Sequence, residues 1–260
     1  MGTLIAVEEK DGYAVIRLNR PEKKNAMNRA ARRELLDAFA AQRERSKVVV
    51  LTGTDDSFCS GVDLKEIGAD AKNGTPPDPP SDWIEVTLAI RAHPAIFIAA
   101  VNGIALGGGA TLISMCDLAI ATQEAEIGMP EIGFATYPQF SGPGVQIQLT
   151  SKRAAWLVLT AERITGATAE AWGLVNRAVP RAALMMEAEA LAARIARFDA
   201  TALRESKRAL EAIPQRIEWR TAFEYGIDTN ARIRDAGNAQ QQGLARFQSG
   251  LRNPGQGKSL

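Results

Sequence analysis

Three consecutive glycines, Gly107, Gly108 and Gly109, lie between a predicted buried strand (Ile96–Val101) and an apolar stretch that predicts a buried helix. Glycine weakens the interior of both elements, so a glycine run at their junction is expected where another group approaches the backbone closely. A helix N-terminus also offers unpaired N–H groups and the positive end of the helix dipole. The pattern indicates either a site for a negatively charged ligand oxygen or a tight turn with close strand–helix packing.

A second glycine site lies upstream, after another predicted buried strand at residues 47–52, whose sequence is KVVVLT. Gly61 stands between Ser60 and Val62, where it permits backbone dihedral angles that other residues avoid. Two separate stretches of backbone could therefore present N–H donors to one ligand.

A single carboxylate in the middle of the chain is a candidate for proton transfer. Glu131 comes directly after a predicted strand, residues 125–129, and Pro130, with Ile132 and Phe134 next to it. Glu131 is either a plain surface residue or a buried one, and burial among apolar neighbours would raise its pKa and suit it to acid–base work.

The sequence lacks the residues that several other common kinds of active site and binding site require. The single histidine, His93, precedes Pro94 and is expected to be structural, and no G-x-S-x-G motif is present. Cys59 and Cys116 have no metal-ligand spacing and indicate reduced thiols in a cytosolic protein. The G-x-G-x-x-G and P-loop patterns are absent, the net charge of +1 gives no general attraction for nucleic acid, and no apolar run is long enough to cross a membrane. These absences favour a metal-free site without a bound cofactor.

The elements that must position these residues change in character along the chain. Strands are predicted mainly in the first half, and helices fill roughly the last hundred residues, so we expect an α/β core of residues 1–195 and a helical oligomerisation region of residues 196–260. Asn28 is expected to cap the helix that follows it, and Arg20, Lys23 and Lys24 are expected to be solvated charges or phosphate contacts.

Two segments are predicted to be loops beside the site. Residues 68–82 are rich in proline and glycine without large apolar side chains, which predicts a mobile excursion: a flap next to the site or a simple surface loop. Asp82 is expected to cap the next helix, and residues 134–144 are expected to form a loop.

Six short motifs, taken together and in order, resemble the crotonase superfamily of enoyl-CoA hydratases and isomerases: NRPEKKNAM (19–27), FCSGVDL (58–64), NGIALGGG (102–109), CDLAIA (116–121), PEI (130–132) and ITGATAEAWGLVNRAV (164–179). The resemblance covers nearly the whole chain. It implies a spiral of β-β-α units, a C-terminal helical trimerisation region, and a homotrimer or a dimer of trimers. It also implies an acyl-CoA thioester as substrate, with coenzyme A present only as part of that substrate, and neither nucleic acid nor membrane as partner.

The resemblance also assigns roles to individual positions. The Val62 and Gly108 amides would bind the thioester oxygen as it becomes an enolate, and Glu131 would act as general acid and base. The coenzyme A portion would lie near another five residues: Lys24, Ala26, Ser60, Asp63 and Gly107.

One position departs from the pattern of the hydratases, which carry two glutamates around a water. The first would stand at Thr111, and threonine cannot act as a base near neutral pH. A single glutamate is also the pattern of Δ3,Δ2-enoyl-CoA isomerases and hydroxycinnamoyl-CoA hydratase-lyases, which the chain resembles in this respect, and a non-catalytic acyl-CoA-binding relative is a further alternative.

Other positions bear on the acyl pocket. Gln139 replaces the aspartate of dienoyl-CoA isomerases, and Tyr225 lies where the hydratase-lyases use a tyrosine. Four aromatic residues could line an acyl pocket or belong to the core: Trp83, Phe134, Tyr137 and Phe140.

Overall fold

The structure, a computed structural model, describes residues 3–74, 80–212, 218–235 and 237–250. The strands are β1 (Ile5–Glu9), β2 (Tyr13–Leu18), β3 (Val48–Gly53), β4 (Ser57–Cys59), β5 (Ile96–Val101), β6 (Ile104–Leu106), β7 (Leu118–Thr122), β8 (Glu126–Gly128), β9 (Ile164–Thr165) and β10 (Arg177–Val179). The α-helices are α1 (Arg29–Gln42), α2 (Leu64–Asn73), α3 (Pro80–Ala92), α4 (Gly108–Met115), α5 (Ser141–Gln148), α6 (Ser151–Thr160), α7 (Gly166–Trp172), α8 (Leu184–Ala196), α9 (Ala200–Ala212), α10 (Trp219–Asp235) and α11 (Ala239–Gln248).

The larger sheet has six strands in the order β1-β2-β3-β5-β7-β10, and all its pairs are parallel except β1 with β2. Its central strands β3 and β5 are buried along their whole length and consist mostly of apolar residues, because both of their faces are covered. Successive side chains point to opposite faces, so Val48 and Val50 pack under α8 while Val49 and Leu51 enter the main core. The predicted α/β class is confirmed.

The smaller sheet, in the order β4-β6-β8-β9, positions the site. Strands β4, β6 and β8 run parallel to one another, so their carboxyl ends lie at one edge. Gly61 follows β4, Gly107 follows β6 and Glu131 follows β8. Three segments far apart in the chain therefore meet where three neighbouring strands end.

Two local predictions were wrong. Residues 134–144 are not one loop, because α5 begins at Ser141; the small residues of its first turn pack closely on α4, where a Cβ on Gly144 would lie 2.7 Å from Ser114 Cβ. Asp82 does not cap α3, because that helix already begins at Pro80. Helices α2 and α3 also occupy both ends of the predicted excursion, and residues 75–79 lie outside the described residues.

The last helices return to the core. Helix α11 lies against the 3₁₀ helix Pro130–Phe134, where the rings of Phe134 and Phe247 meet edge to face at 5.4 Å and a Cβ on Gly243 would lie 2.7 Å from Phe134 Cα. The C-terminal helices thus cover the segment that carries Glu131. The boundary at residues 195 and 196 stays a prediction.

Within the described ranges, no helix is both long and apolar enough to cross a bilayer, and no group of three His, Cys, Asp or Glu residues could hold a metal ion. His93 is buried, with Nε2 3.0 Å from Phe39 O and Nδ1 accepting from the Ala95 amide, which confirms its structural role. Cys59 and Cys116 are free and buried, and burial raises the pKa of both thiols.

Candidate active site

The two glycine segments touch each other through their backbones. Gly61 has a φ of +95°, and a Cβ there would lie 2.9 Å from Leu106 O and 3.2 Å from Gly108 N. No other residue type fits this contact, because a side chain would strain the φ angle and also press on backbone atoms. The predicted need for glycine at Gly61 is confirmed.

Both candidate amides are placed as free donors by their neighbours. The Met27 amide donates to Gly61 O at 2.8 Å, and the Asp63 amide donates to Met27 O at 3.2 Å. Because successive N–H groups of extended chain point in opposite directions, the Val62 N–H points away from this bridge. Gly108 is the first residue of α4, so its N–H has no acceptor within the helix.

The Glu131 carboxyl group lies directly over Gly107. A Cβ on Gly107 would be 2.8 Å from Glu131 Oε1, and that oxygen accepts from the buried Ser141 hydroxyl at 3.4 Å. The other oxygen, Oε2, is enclosed and has no hydrogen-bond partner among the described residues. Although the residue as a whole is half-buried, its carboxyl group is enclosed, and this burial raises the pKa of Glu131 to about 7. The side chain is therefore not a plain surface carboxylate.

A cavity of about 300 Å³ joins these groups. Val62, Gly107, Gly108 and Glu131 all line it. Its apolar wall consists of Leu64, Ile67, Trp83, Phe134, Phe140 and Leu244, and its polar wall includes Ser60, Thr136, Tyr137, Gln139, Asn230, Arg234 and Gln240. Glu131 is the one carboxyl group among the described lining residues.

Comparison with known proteins decides the family. The family model described as "Enoyl-CoA hydratase/isomerase" matches residues 8–249. The chain belongs to the enoyl-CoA hydratase/isomerase family.

Individual known proteins resemble the chain over most of its length. It is 37% identical over 211 residues to a "Probable enoyl-CoA hydratase" of Rhizobium meliloti, covering 79% of this chain and 80% of that protein. It is 30% identical over 257 residues to the "Hydroxycinnamoyl-CoA hydratase-lyase" of Pseudomonas fluorescens, covering 94% of this chain and 91% of that protein. The solved structure of Pseudomonas aeruginosa OdaA matches with a TM-score of 0.82 and 32% identity, covering 95% of this chain and 99% of that one. The crotonase fold predicted from the motifs is thereby confirmed.

Asn230 lines the cavity, but the sequence did not single it out. It lies buried on α10, where its side chain accepts from the Tyr137 amide at 2.7 Å and donates to Tyr137 O at 3.1 Å and to Gln139 Oε1 at 2.7 Å. It thus fixes the two predicted pocket residues, Tyr137 and Gln139. Nothing in the sequence marks an asparagine on a long helix as the partner of a loop some ninety residues away.

The residues predicted to hold coenzyme A do not all reach the cavity. Ser60 and Gly107 line it, whereas Lys24, Ala26 and Asp63 are not among its lining residues. Lys24 has a positive φ of 50°, and its carbonyl accepts from the Ser60 amide at 3.0 Å, so its backbone supports the Gly61 loop. Their proposed contacts with coenzyme A stay predictions.

Arg20 is neither a solvated charge nor exposed for phosphate binding. It is buried, donates to Ala26 O, and pairs through Nη2 with Asp63 Oδ2 at 3.0 Å. Asp63 also caps α2 by accepting from the Lys65 and Glu66 amides. Burial alone would raise the pKa of Asp63, but the hydrogen bonds from Arg20 and from Glu66 N outweigh it and lower that pKa. The pair fastens Asp63, the residue that follows Val62, to the segment that carries Arg20 and Ala26.

Thr111 and Tyr225 complete the predicted set. Thr111 is fully buried in α4, its hydroxyl donates to Gly107 O at 3.3 Å, and it is not among the lining residues of the cavity. The side chain of Tyr225 lies outside the described part of the structure. The catalytic role of Thr111 and the pocket role of Tyr225 stay predictions.

The enclosed carboxyl group makes stability depend on pH in a specific way. The pKa of Glu131 is about 7 in the folded protein and 4.5 in its ordinary state, so between these values the folded chain binds more protons than the unfolded one and loses stability as pH rises. Glu131→Gln removes this loss. We expect the unfolding free energy of the variant, relative to the wild type, to rise by about 2 kcal/mol from pH 5 to pH 8 in urea titrations. A difference that does not change with pH would contradict the raised pKa.

Proposed function

We propose that this chain is an acyl-CoA-processing enzyme that stabilises a thioester enolate with two backbone amides and moves protons with one carboxyl group. Hydration of an enoyl-CoA is the reaction that we favour. The observation that supports the proposal best is the enclosed Glu131 carboxyl group beside the Val62 and Gly108 amides in one cavity.

The proposed hydration uses Glu131 twice. Ionised Glu131 accepts a proton from water while the water oxygen bonds to C3 of the enoyl-CoA, and the C2–C3 double-bond electrons move onto the thioester oxygen as an enolate. The Val62 and Gly108 amides stabilise that negative charge. Protonated Glu131 then gives the same proton to C2, the enolate returns to a thioester, and the carboxylate is restored. One water is added, giving a 3-hydroxyacyl-CoA.

The raised pKa suits this double use. A general acid–base is most effective when its pKa lies near the working pH, because both protonation states are then accessible. The pKa of Glu131, raised to about 7 by burial, meets this condition, whereas an exposed glutamate would be almost wholly ionised.

Two other reactions fit the same groups. A Δ3,Δ2-enoyl-CoA isomerase needs only one carboxyl group to move a proton between C4 and C2, and Glu131 is the one carboxyl group among the described lining residues. A hydroxycinnamoyl-CoA hydratase-lyase is favoured by the relative of that name in Pseudomonas fluorescens, which aligns with 94% of this chain. A non-catalytic acyl-CoA-binding protein is the alternative of another class, and the threonine at position 111 favours it.

The remaining parts of the proposal concern partners. The nucleotide part of coenzyme A is proposed to lie near Lys24, Ala26, Ser60, Asp63 and Gly107, and the chain is proposed to form a homotrimer or a dimer of trimers. We propose a cytoplasmic enzyme without a cofactor beyond the coenzyme A of its substrate.

A panel of acyl-CoA esters with product identification tests the function. Crotonyl-CoA, a 3-enoyl-CoA and a hydroxycinnamoyl-CoA are each incubated with the purified protein and analysed by mass spectrometry and NMR. We expect 3-hydroxyacyl-CoA from the 2-enoyl esters. A 2-enoyl product from the 3-enoyl ester alone would favour the isomerase, an aldehyde with acetyl-CoA would favour the hydratase-lyase, and binding without product would favour the non-catalytic alternative.

A further inference from the structure

Two enclosed polar side-chain atoms among the described residues that line the cavity have no hydrogen-bond partner. One is Glu131 Oε2, and the other is Trp83 Nε1. Trp83 lies on α3 and is only 2% exposed. An unpaired indole N–H at such a position is costly, because burial removes its bond to water and supplies no replacement.

The two side chains border the same short piece of backbone. The indole ring covers Gly108, where a Cβ would lie 2.8 Å from Trp83 Cζ2 and 3.3 Å from Cε2, the carbon to which Nε1 is bonded. The Glu131 carboxyl group covers Gly107 in the same manner. The indole N–H of Trp83 is a donor only, whereas the Glu131 carboxyl group can accept or donate. Together they suit a hydroxyl group or a water molecule as ligand.

We propose that the Trp83 indole N–H binds the oxygen that is added to, or removed from, C3 of the acyl chain. The proposal rests on the proposed function and gives its hydration step a second contact to the water. The water oxygen accepts from Trp83 with one lone pair and bonds to C3 with the other, while one of its protons goes to Glu131. Trp83 keeps its own proton throughout.

The geometry also sets a condition on binding. Trp83 Nε1 is shielded from solvent, so the incoming oxygen reaches it when the indole ring moves from its contact with Gly108. The same movement opens space beside Gly108, whose amide is one of the two proposed donors to the thioester oxygen, and so joins binding of the C3 oxygen to binding of the thioester.

Trp83→Phe is the test, because it removes the N–H and keeps an aromatic ring. Two reactions are measured: hydration of crotonyl-CoA, and exchange of the C2 protons of butanoyl-CoA in D2O, which needs Glu131 and the backbone amides but no oxygen at C3. We expect hydration to fall about tenfold and exchange to change by less than about threefold. Trp156→Phe, on the solvent-facing side of α6, is the matched control and should change neither.

A second measurement does not depend on turnover. In ¹⁵N-tryptophan NMR spectra of the wild type, the Trp83 indole signal, assigned by its absence in Trp83→Phe, should shift with both ligands because the ring moves off Gly108, and should shift further with 3-hydroxybutanoyl-CoA than with butanoyl-CoA, because only the former supplies an oxygen at C3. An equal loss of hydration and exchange, no loss of either, or the same indole shift with both ligands would overturn the proposal. If the wild type catalyses neither reaction, the proposed function has failed, and the NMR comparison alone decides the binding role of Trp83.

Discussion

Replacement of Glu131 by glutamine is expected to lower kcat at least about a hundredfold for every acyl-CoA that the wild type converts. Glutamine keeps the shape of the side chain and can still meet the Ser141 hydroxyl, but it can neither take a proton from water nor give one to C2. Loss of a positioned general acid–base typically costs 10²- to 10⁴-fold, or about 3–5 kcal/mol of transition-state stabilisation.

Binding should survive this change. The Kd for a saturated acyl-CoA, measured by calorimetry, should stay within about threefold of the wild-type value, since the backbone donors are unaltered. Glu126→Gln is the matched control: Glu126 lies in β8, five residues earlier, and forms an exposed pair with Arg163. Unchanged turnover in Glu131→Gln, or an equal loss in Glu126→Gln, would refute the role of Glu131.

Replacement of Gly61 by alanine is expected to remove nearly all activity and to destabilise the fold. Alanine at a φ of +95° is strained by about 1–2 kcal/mol, and its Cβ would press on Leu106 O and Gly108 N. The two glycine segments would then move apart, so the Val62 and Gly108 amides could no longer bind one oxygen together. Loss of one backbone donor to an enolate oxygen costs about 10²- to 10³-fold in kcat. We expect about 3 kcal/mol less stability in urea unfolding together with this loss of turnover.

A matched glycine separates backbone strain from the effect on the site. Gly173 has a φ of +85°, and nothing lies within 4 Å of a Cβ placed on it. Gly173→Ala should therefore show only the strain, about 1–2 kcal/mol of stability, with kcat unchanged. If both variants lost the same stability and both remained active at temperatures where they are folded, the contact between the glycine segments would have no part in catalysis.

The sequence predicts the long elements of the fold because their signals are local. The apolar runs of β3 and β5, the Asn28 cap and the need for glycine at Gly61 depend on a few adjacent residues, and the structure confirms each. The raised pKa of Glu131 was predicted on the condition of burial, and the structure meets that condition.

The missed features depend on contacts between distant residues. Strands β4 and β6 have three residues each, too few for a periodicity, and exist because they pair with each other. Helix α5 carries two glycines and a proline, which indicate a loop until its close packing on α4 is known. Arg20 looked like a solvated charge because its partner, Asp63, lies more than forty residues away.

The C-terminal helices have a consequence for synthesis of the protein. The cavity takes its walls from segments far apart in the sequence, Val62 after β4 and Leu244 on α11, and α11 packs against the segment that holds Glu131. A nascent chain still attached to the ribosome, with α11 inside the exit tunnel, has the sheets and both glycine segments but not the closed cavity. The cavity therefore closes only after α11 has left the tunnel and docked, so its closure follows synthesis of all the segments that line it.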